Sequence, residues 1–322
     1  MADEEREPAA AASEWWAPRW KGQKGRLEVW YATATDDETG TGLWVHGETV
    51  AGTDDGSGVA SHGWVALFPP DAGPVWQRTE SVPEATTQTA AEGEPGFCAD
   101  DLRIDPTGTE GHTADLSWEI DWDASDQQPL ATFPRWAWER ELLPGAQVLP
   151  APSMPVSGWV DHDGQRHRIN GTGAVARIYG HGSAQRWAWL HADLGNGDLV
   201  EVVTAVSRRS GLSKLAPITF LRMRVDGYDW PATRIASWGL RTTLGLPQWS
   251  VKGRTQGFEV SIEVTQPADR CVEIEYTDPD GSTATCTNTE RADLALSVRS
   301  QSGTERTWRL DGTAHAEVGL RP

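Results

Sequence analysis

The stretch GTGAVARIYGHGSAQRWAWLHADLGNGDLVEVVTAV, residues 171–206, decides the fold. Two largely apolar runs flank Asn196-Gly197, a dipeptide favoured in type I′ hairpin turns because both central residues take positive φ. With those two residues as the turn, Leu194 faces Leu199, His191 faces Val202, Trp189 faces Thr204 and Trp187 faces Val206. One pleat face then carries Trp187, Trp189, His191, Val202 and Thr204, and the other Ala188, Leu190, Val203 and Ala205. Neither face is polar enough for water. Such a pair belongs to a sheet covered on both sides, or to a barrel wall whose interior is lined.

A second hairpin lies upstream, where RLEVWYATA (26–34) and LWVHGETVA (43–51) flank the polar loop DDETGTG. A register centred on that loop puts Glu28, Trp30 and Ala32 on the face of Trp44, His46 and Glu48, and leaves Leu27, Val29, Tyr31, Leu43 and Val45 as packed core. The next strand, SHGWVALF, adds His62, Trp64, Ala66 and Phe68 to one face. Carboxylates, imidazoles and indoles converging in this way are costly to bury unless each charge is paired or a cavity admits water and ligand. The functional reading is a polar and aromatic pocket in which a Glu or His titrates away from its usual pH. The alternative is a solvated face with incidental indoles.

The rest of the chain has the same character. PVWQRTE continues the sheet, 84–95 is a surface loop, 112–123 alternates as a half-exposed strand, and PRWAWERELLPGA (134–146) is the best helix candidate, closed by Pro144-Gly145. A hairpin follows around Asp161-His162-Asp163-Gly164, in which His162 and His167 are turn and strand residues rather than metal ligands. ITFLRMRVDG, RIASWGLRTT, FEVSIEVTQP, CVEIEYTDPDG, TATCTNT, ADLALSVRS and TWRLDGTAHAEVG read as further strands. The class is all-β, a pair of barrels or sandwiches. Residues 1–14 read as a disordered tail.

Eighteen Trp against five Phe and four Tyr point to a ligand cavity lined by indoles. The net charge of −19 argues against a nucleic-acid groove or an anionic membrane surface. No apolar run reaches membrane-spanning length and the acidic start lacks a signal-peptide pattern, so the expectation is a cytoplasmic protein without membrane insertion. Three Cys, at 98, 271 and 286, are too few for a disulfide framework; Cys271 and Cys286 flank the 278–281 turn as candidate cross-strand neighbours and read as reduced thiols. Phosphate-cradling loops, HExxH, paired CxxC and GxSxG are all missing, and GTGAVA leads into a strand rather than a helix. No metal or organic cofactor is expected.

Three stretches resemble one family. Glu28, Trp30 and Tyr31 fall on the Glu-Trp-Trp-Tyr strand that opens the two-domain lipocalin-like proteins, a family that includes carotenoid 1,2-hydratase, tocopherol cyclase and the fungal decalin-forming Diels–Alderases; Val29 stands at the first Trp. RIYGHGSAQRWAWLHADLGNGDL resembles the family's Tyr-Asp-His-x-Trp-Gly segment and Trp-x-Trp strand, with Tyr179, His181, Trp187 and Trp189 aligned, Gly180 in place of Asp and the Trp-Gly missing. TWRLDGTAHAEVG resembles the closing strands, with Glu317 at a recurrent Glu. The resemblance implies two antiparallel lipocalin-like β-barrels side by side, 15–182 and 183–322, with a hydrophobic small-molecule site in or beside the first.

The functional expectation is a cofactor-independent enzyme that folds a bulky apolar polyketide- or isoprenoid-type substrate against rigid Trp walls and cyclises it, by a [4+2] cycloaddition driven by orientation. An alkene hydratase or proton-initiated cyclase is the alternative, with Glu28, His46 or Glu48 as catalytic groups. Trp30, Trp44, His62, Trp64, Tyr179, His181, Trp187 and Trp189 are the expected substrate-binding residues. A hydrophobic-ligand carrier and a carbohydrate-active β-domain are the competing classes.

Overall fold

The structure, a computed structural model, describes residues 12–54, 58–79, 82–83, 95–99, 101–141, 143–209 and 211–322. Most of the expected tail and of the 84–95 loop lies outside the described residues; within the tail, Ala12–Trp16 is a short helix. Nearly everything else is antiparallel β-structure in two sheets.

Both sheets are built on one plan. Each opens with a meander, and its long final strand returns to lie beside its first. In the first sheet Val75–Arg78, Val59–Phe68, Gly42–Ala51 and Arg26–Asp36 are neighbours in that order, followed by Gln165–Gly180, Gly145–His162 and Leu116–Trp122. In the second, Ile218–Val225, Asp198–Val206 and Arg186–Gly195 are followed by Glu305–Leu320 and Thr283–Ser300. Alternation dictates this arrangement: Leu116–Trp122, LSWEIDW, buries every second residue, the mark of a strand with one face on a core.

Among the described residues the three largest apolar clusters mark out the architecture. Trp30, Val65, Ile104 and Trp118 fill the interior of the first sheet, and Leu190, Val202, Trp249 and Ile262 that of the second. The third lies between the sheets, where Trp44, Trp64 and Phe68 of the first meet Trp189, Val203 and Phe220 of the second. The backbones come close there. A Cβ on Gly42 would sit 2.5 Å from Cβ of Glu290 on the other sheet, so only glycine allows the approach.

The three expected hairpins form, including the one closed at Asp163-Gly164; the other two are each one residue out of the expected register. At Asn196-Gly197 the turn has φ of +58° and +80°, but Gly195 pairs with Asp198 and Leu194 is bulged out, so His191 faces Glu201 and Trp189 faces Val203. In the first hairpin Asp36 accepts from the N–H (2.9 Å) and hydroxyl (2.7 Å) of Thr39, and Gly40 takes φ of +71°. This even-numbered turn closes Thr35 onto Gly42, which puts Tyr31, not Trp30, opposite His46. A one-residue slip turns a whole strand over.

The helix candidate is a six-residue helix, Arg135–Arg140. RIASWGLRTT is mostly a 3₁₀ turn, Arg234–Gly239, before the short strand Arg241–Thr243, because the Ser237 hydroxyl bonds the Leu221 N–H (3.1 Å) and the Thr219 carbonyl (2.9 Å) and ties the segment across its neighbour. Cys286 faces Ile274 rather than Cys271, and Cys271 and Cys286 are not joined in a disulfide.

Candidate functional site

The shifted registers move the aromatic and titratable side chains to the seam between the sheets. A cleft of about 200 Å³ opens there. Leu27, Val29, Tyr31, Trp44, His46 and Glu48 line it from the first sheet, and Trp187, Trp189, Val203, Phe220, Tyr276 and Glu317 from the second. The interior of the first barrel, one of the two places expected for the site, is occupied by its own core, with Trp16 stacked on Trp30 at 5.8 Å.

On the first wall Glu48 is buried between two imidazoles. Nε2 of His46 lies 3.2 Å from one carboxylate oxygen and Nε2 of His62 2.9 Å from the other. Burial alone would raise the Glu48 pKa, but the two imidazoles outweigh it and hold it down to about 2. His46 moves down as well, because burial disfavours its charged form more than Glu48 favours it. The His46 ring stacks on Trp64 at 3.8 Å, and its Nδ1 is buried without a hydrogen-bond partner. At neutral pH this wall therefore offers a carboxylate and a neutral imidazole with one nitrogen unused. A carboxyl with a depressed native pKa stabilises the fold above its unfolded value and loses that contribution on acidification. Between pH 4.5 and about 2 the wild type is expected to lose roughly 3 kcal/mol more than Glu48→Gln. Urea melts at stepped pH give that slope, and parallel curves would refute the pairing.

The second wall has the opposite polarity. Glu317 accepts from Nε1 of Trp187 at 2.6 Å, and Sγ of Cys286 lies 3.4 Å from its other oxygen. Burial raises its pKa against those donors, and the nearby Glu290 adds to the rise. Glu317 is thus the cleft-lining carboxyl biased towards its protonated form. Tyr276 links the two walls, its ring 5.7 Å from His46 and 6.2 Å from Trp187. Burial keeps the phenols of Tyr276 and Tyr31 protonated, so both are neutral donors. Trp189 meets Tyr31 edge-on at 5.3 Å. Its indole is fixed by Glu201, which also accepts from Nδ1 of His191 at 2.9 Å and from Gln147.

Of the expected site residues, His46, Glu48, Trp44, Trp187 and Trp189 line the cleft, and His62 and Trp64 back them. Glu28 and Trp30 face the other way. The Glu28 carboxylate is buried against the Arg177 guanidinium and accepts the backbone N–H groups of Arg19 (2.9 Å) and Trp20 (2.8 Å), while Arg177 also lies 4.2 Å over the Trp30 ring. That is the construction of a barrel plug. Tyr179 packs with Trp20 under Arg19, and His181 contacts Arg26 at 3.0 Å; neither lines the cleft. Sequence reasoning missed Tyr31, Glu201 and Tyr276. The first was assigned to core, the second needed the bulge, and the third alternates correctly in CVEIEYT without any sign of what it would touch.

A family model described as tocopherol cyclase-like matches residues 97–320. The uncharacterized protein Rv0493c of Mycobacterium tuberculosis (strain H37Rv) is 52% identical over 305 residues, covering 94% of this chain and 89% of its own. Among solved structures, CghA with Sch210972 superposes with a TM-score of 0.62 at 12% identity, covering 92% of this chain and 88% of its own. Kievitone hydratase from Nectria haematococca gives 0.56 at 9% identity, covering 91% and 88%. At these identities the two structures speak for the fold.

Proposed function

We propose that this chain, which belongs to the tocopherol cyclase-like family, is an enzyme of the cyclase or hydratase type that protonates a carbon–carbon double bond of a bulky apolar substrate held in the cleft between the sheets. One observation carries the reading: Glu317, the cleft carboxyl whose burial favours the acid form, stands in an aromatic cavity across from a neutral imidazole backed by a carboxylate. Glu317 gives its proton to one alkene carbon, leaving a cation on the other that the indole and phenol faces stabilise. A substrate hydroxyl or a water then adds its oxygen to the cation. His46, oriented by Glu48, takes the proton released. Cyclisation is thus a net isomerisation, and hydration adds one water. The family's name and that of kievitone hydratase are consistent with these two outcomes.

The apolar, rigid walls also support a second reading, a [4+2] cycloaddition of a polyketide- or isoprenoid-type substrate driven by orientation alone, and the structure of CghA with Sch210972 shares this fold. Turnover in D₂O separates the two. Protonation places one solvent deuterium on product carbon, whereas a cycloaddition places none. A product without carbon-bound deuterium removes the acid reading.

A further inference from the structure

Acidic residues crowd this chain, yet several stretches contain none, among them 142–160, 164–192, 202–225 and 230–258. Residues 202–225 and 230–258 hold nine of the 28 Lys and Arg. Arg208, Arg222, Arg224, Lys252 and Arg254 pair with carboxylates outside these two stretches, which among the described side chains leaves Arg209, Lys214 and Arg241 as the exposed cations. The strand Ile218–Val225 and the 3₁₀ turn Arg234–Gly239 bring parts of the two together through Ser237, and the Trp238 ring meets Phe220 at 5.9 Å. This surface is also where large apolar side chains face water: Leu212 is 42% exposed, Leu215 55%, Ile218 45%, Ile235 52% and Trp238 40%. Arg209, Lys214 and Arg241, exposed as well, lie in the same stretches. The surface is continuous with the cleft, because the exposed Ile218 also lines the cleft.

Exposed apolar side chains interleaved with cations fit the interface of an anionic bilayer, the first entering the acyl boundary and the second meeting the headgroups. The overall charge of −19 does not oppose this, since at about 0.1 M salt charges more than about 10 Å away are largely screened. We propose that this surface docks the protein on a lipid bilayer with anionic headgroups, so that an apolar substrate passes from the bilayer into the cleft past Ile218. The delivery step rests on the proposed apolar substrate. The docking does not.

The test is co-sedimentation of the full chain with vesicles of phosphatidylcholine, alone or mixed with phosphatidylglycerol. Binding to the mixed vesicles is expected at about 0.1 M salt and is lost at about 1 M. Arg209→Gln with Lys214→Gln is expected to weaken it about 25-fold, from about fivefold per basic side chain. Leu212→Ser with Leu215→Ser is expected to weaken it roughly tenfold or more, and Trp76→Ser, on the first sheet, to leave it unchanged. The proposal is overturned if the wild type stays in the supernatant, if both vesicle types bind it equally, or if the double variants bind like wild type. It is also overturned if the chain self-associates through this face, with the Leu variants monomeric and no vesicle binding. Failure on vesicles with turnover of detergent-dispersed substrate intact removes the docking alone. Vesicle binding without any turnover removes only the proposed reaction.

Discussion

Glu317→Gln is expected to lower turnover by a factor on the order of 10²–10⁴, the usual contribution of a positioned general acid, while substrate binding measured by Trp fluorescence stays close to wild type. The amide keeps the size of the side chain and can still accept from Trp187, but it has no acidic proton. The pH profile adds an independent check. Because the Glu317 pKa is raised by burial, the acid form persists beyond the ordinary carboxyl range, and the rate falls as pH rises through the raised value. That limb disappears in Glu317→Gln. Stability follows the same sign: between the ordinary 4.5 and the raised value Glu317 holds more proton in the native state than in the unfolded one, so the wild type loses more stability with rising pH than the Gln variant does. A Glu317→Gln enzyme with wild-type turnover would exclude Glu317 as the proton donor, and the orientation-driven cycloaddition would then be the reading left.

The second large effect is on the fold. Arg177→Met is expected to cost about 3–5 kcal/mol, the penalty for stranding one member of a buried ion pair. Arg177 is fully buried. Its guanidinium pairs with Glu28 and donates to the carbonyls of Trp15 (2.6 Å) and Ala17 (2.7 Å), fixing the N-terminal segment against the end of the first barrel. Adding Glu28→Gln to Arg177→Met removes the stranded charge and is expected to recover a large part of the loss, which keeps the test informative should the single variant fail to fold. Glu28→Gln alone is expected to leave turnover near wild type, because the carboxylate faces the plug and not the cleft. Chemical melts and initial rates read both effects. Lost turnover in Glu28→Gln with stability intact would return Glu28 to the chemistry.

What the sequence determined by itself was local. Alternating runs such as LSWEIDW and turn dipeptides such as Asn196-Gly197 set the class and the hairpins, because a strand's period of two and a turn's positive φ are properties of a few consecutive residues. His46, Glu48, Trp44, Trp187 and Trp189 were also legible, since indoles and titratable groups on an apolar strand call for an explanation wherever they point. Register was not legible. One bulged residue at Leu194 and a carboxylate-held turn at Asp36 reversed which neighbours share a face, exchanging Glu28 and Trp30 for Tyr31 and bringing in Glu201. Nor could any strand pattern place the site. Both faces of these strands are apolar, so only the docking of one sheet on the other decided that one face fills a barrel and the other lines the cleft, with Glu317 and Tyr276 brought to His46 from more than two hundred residues away in sequence.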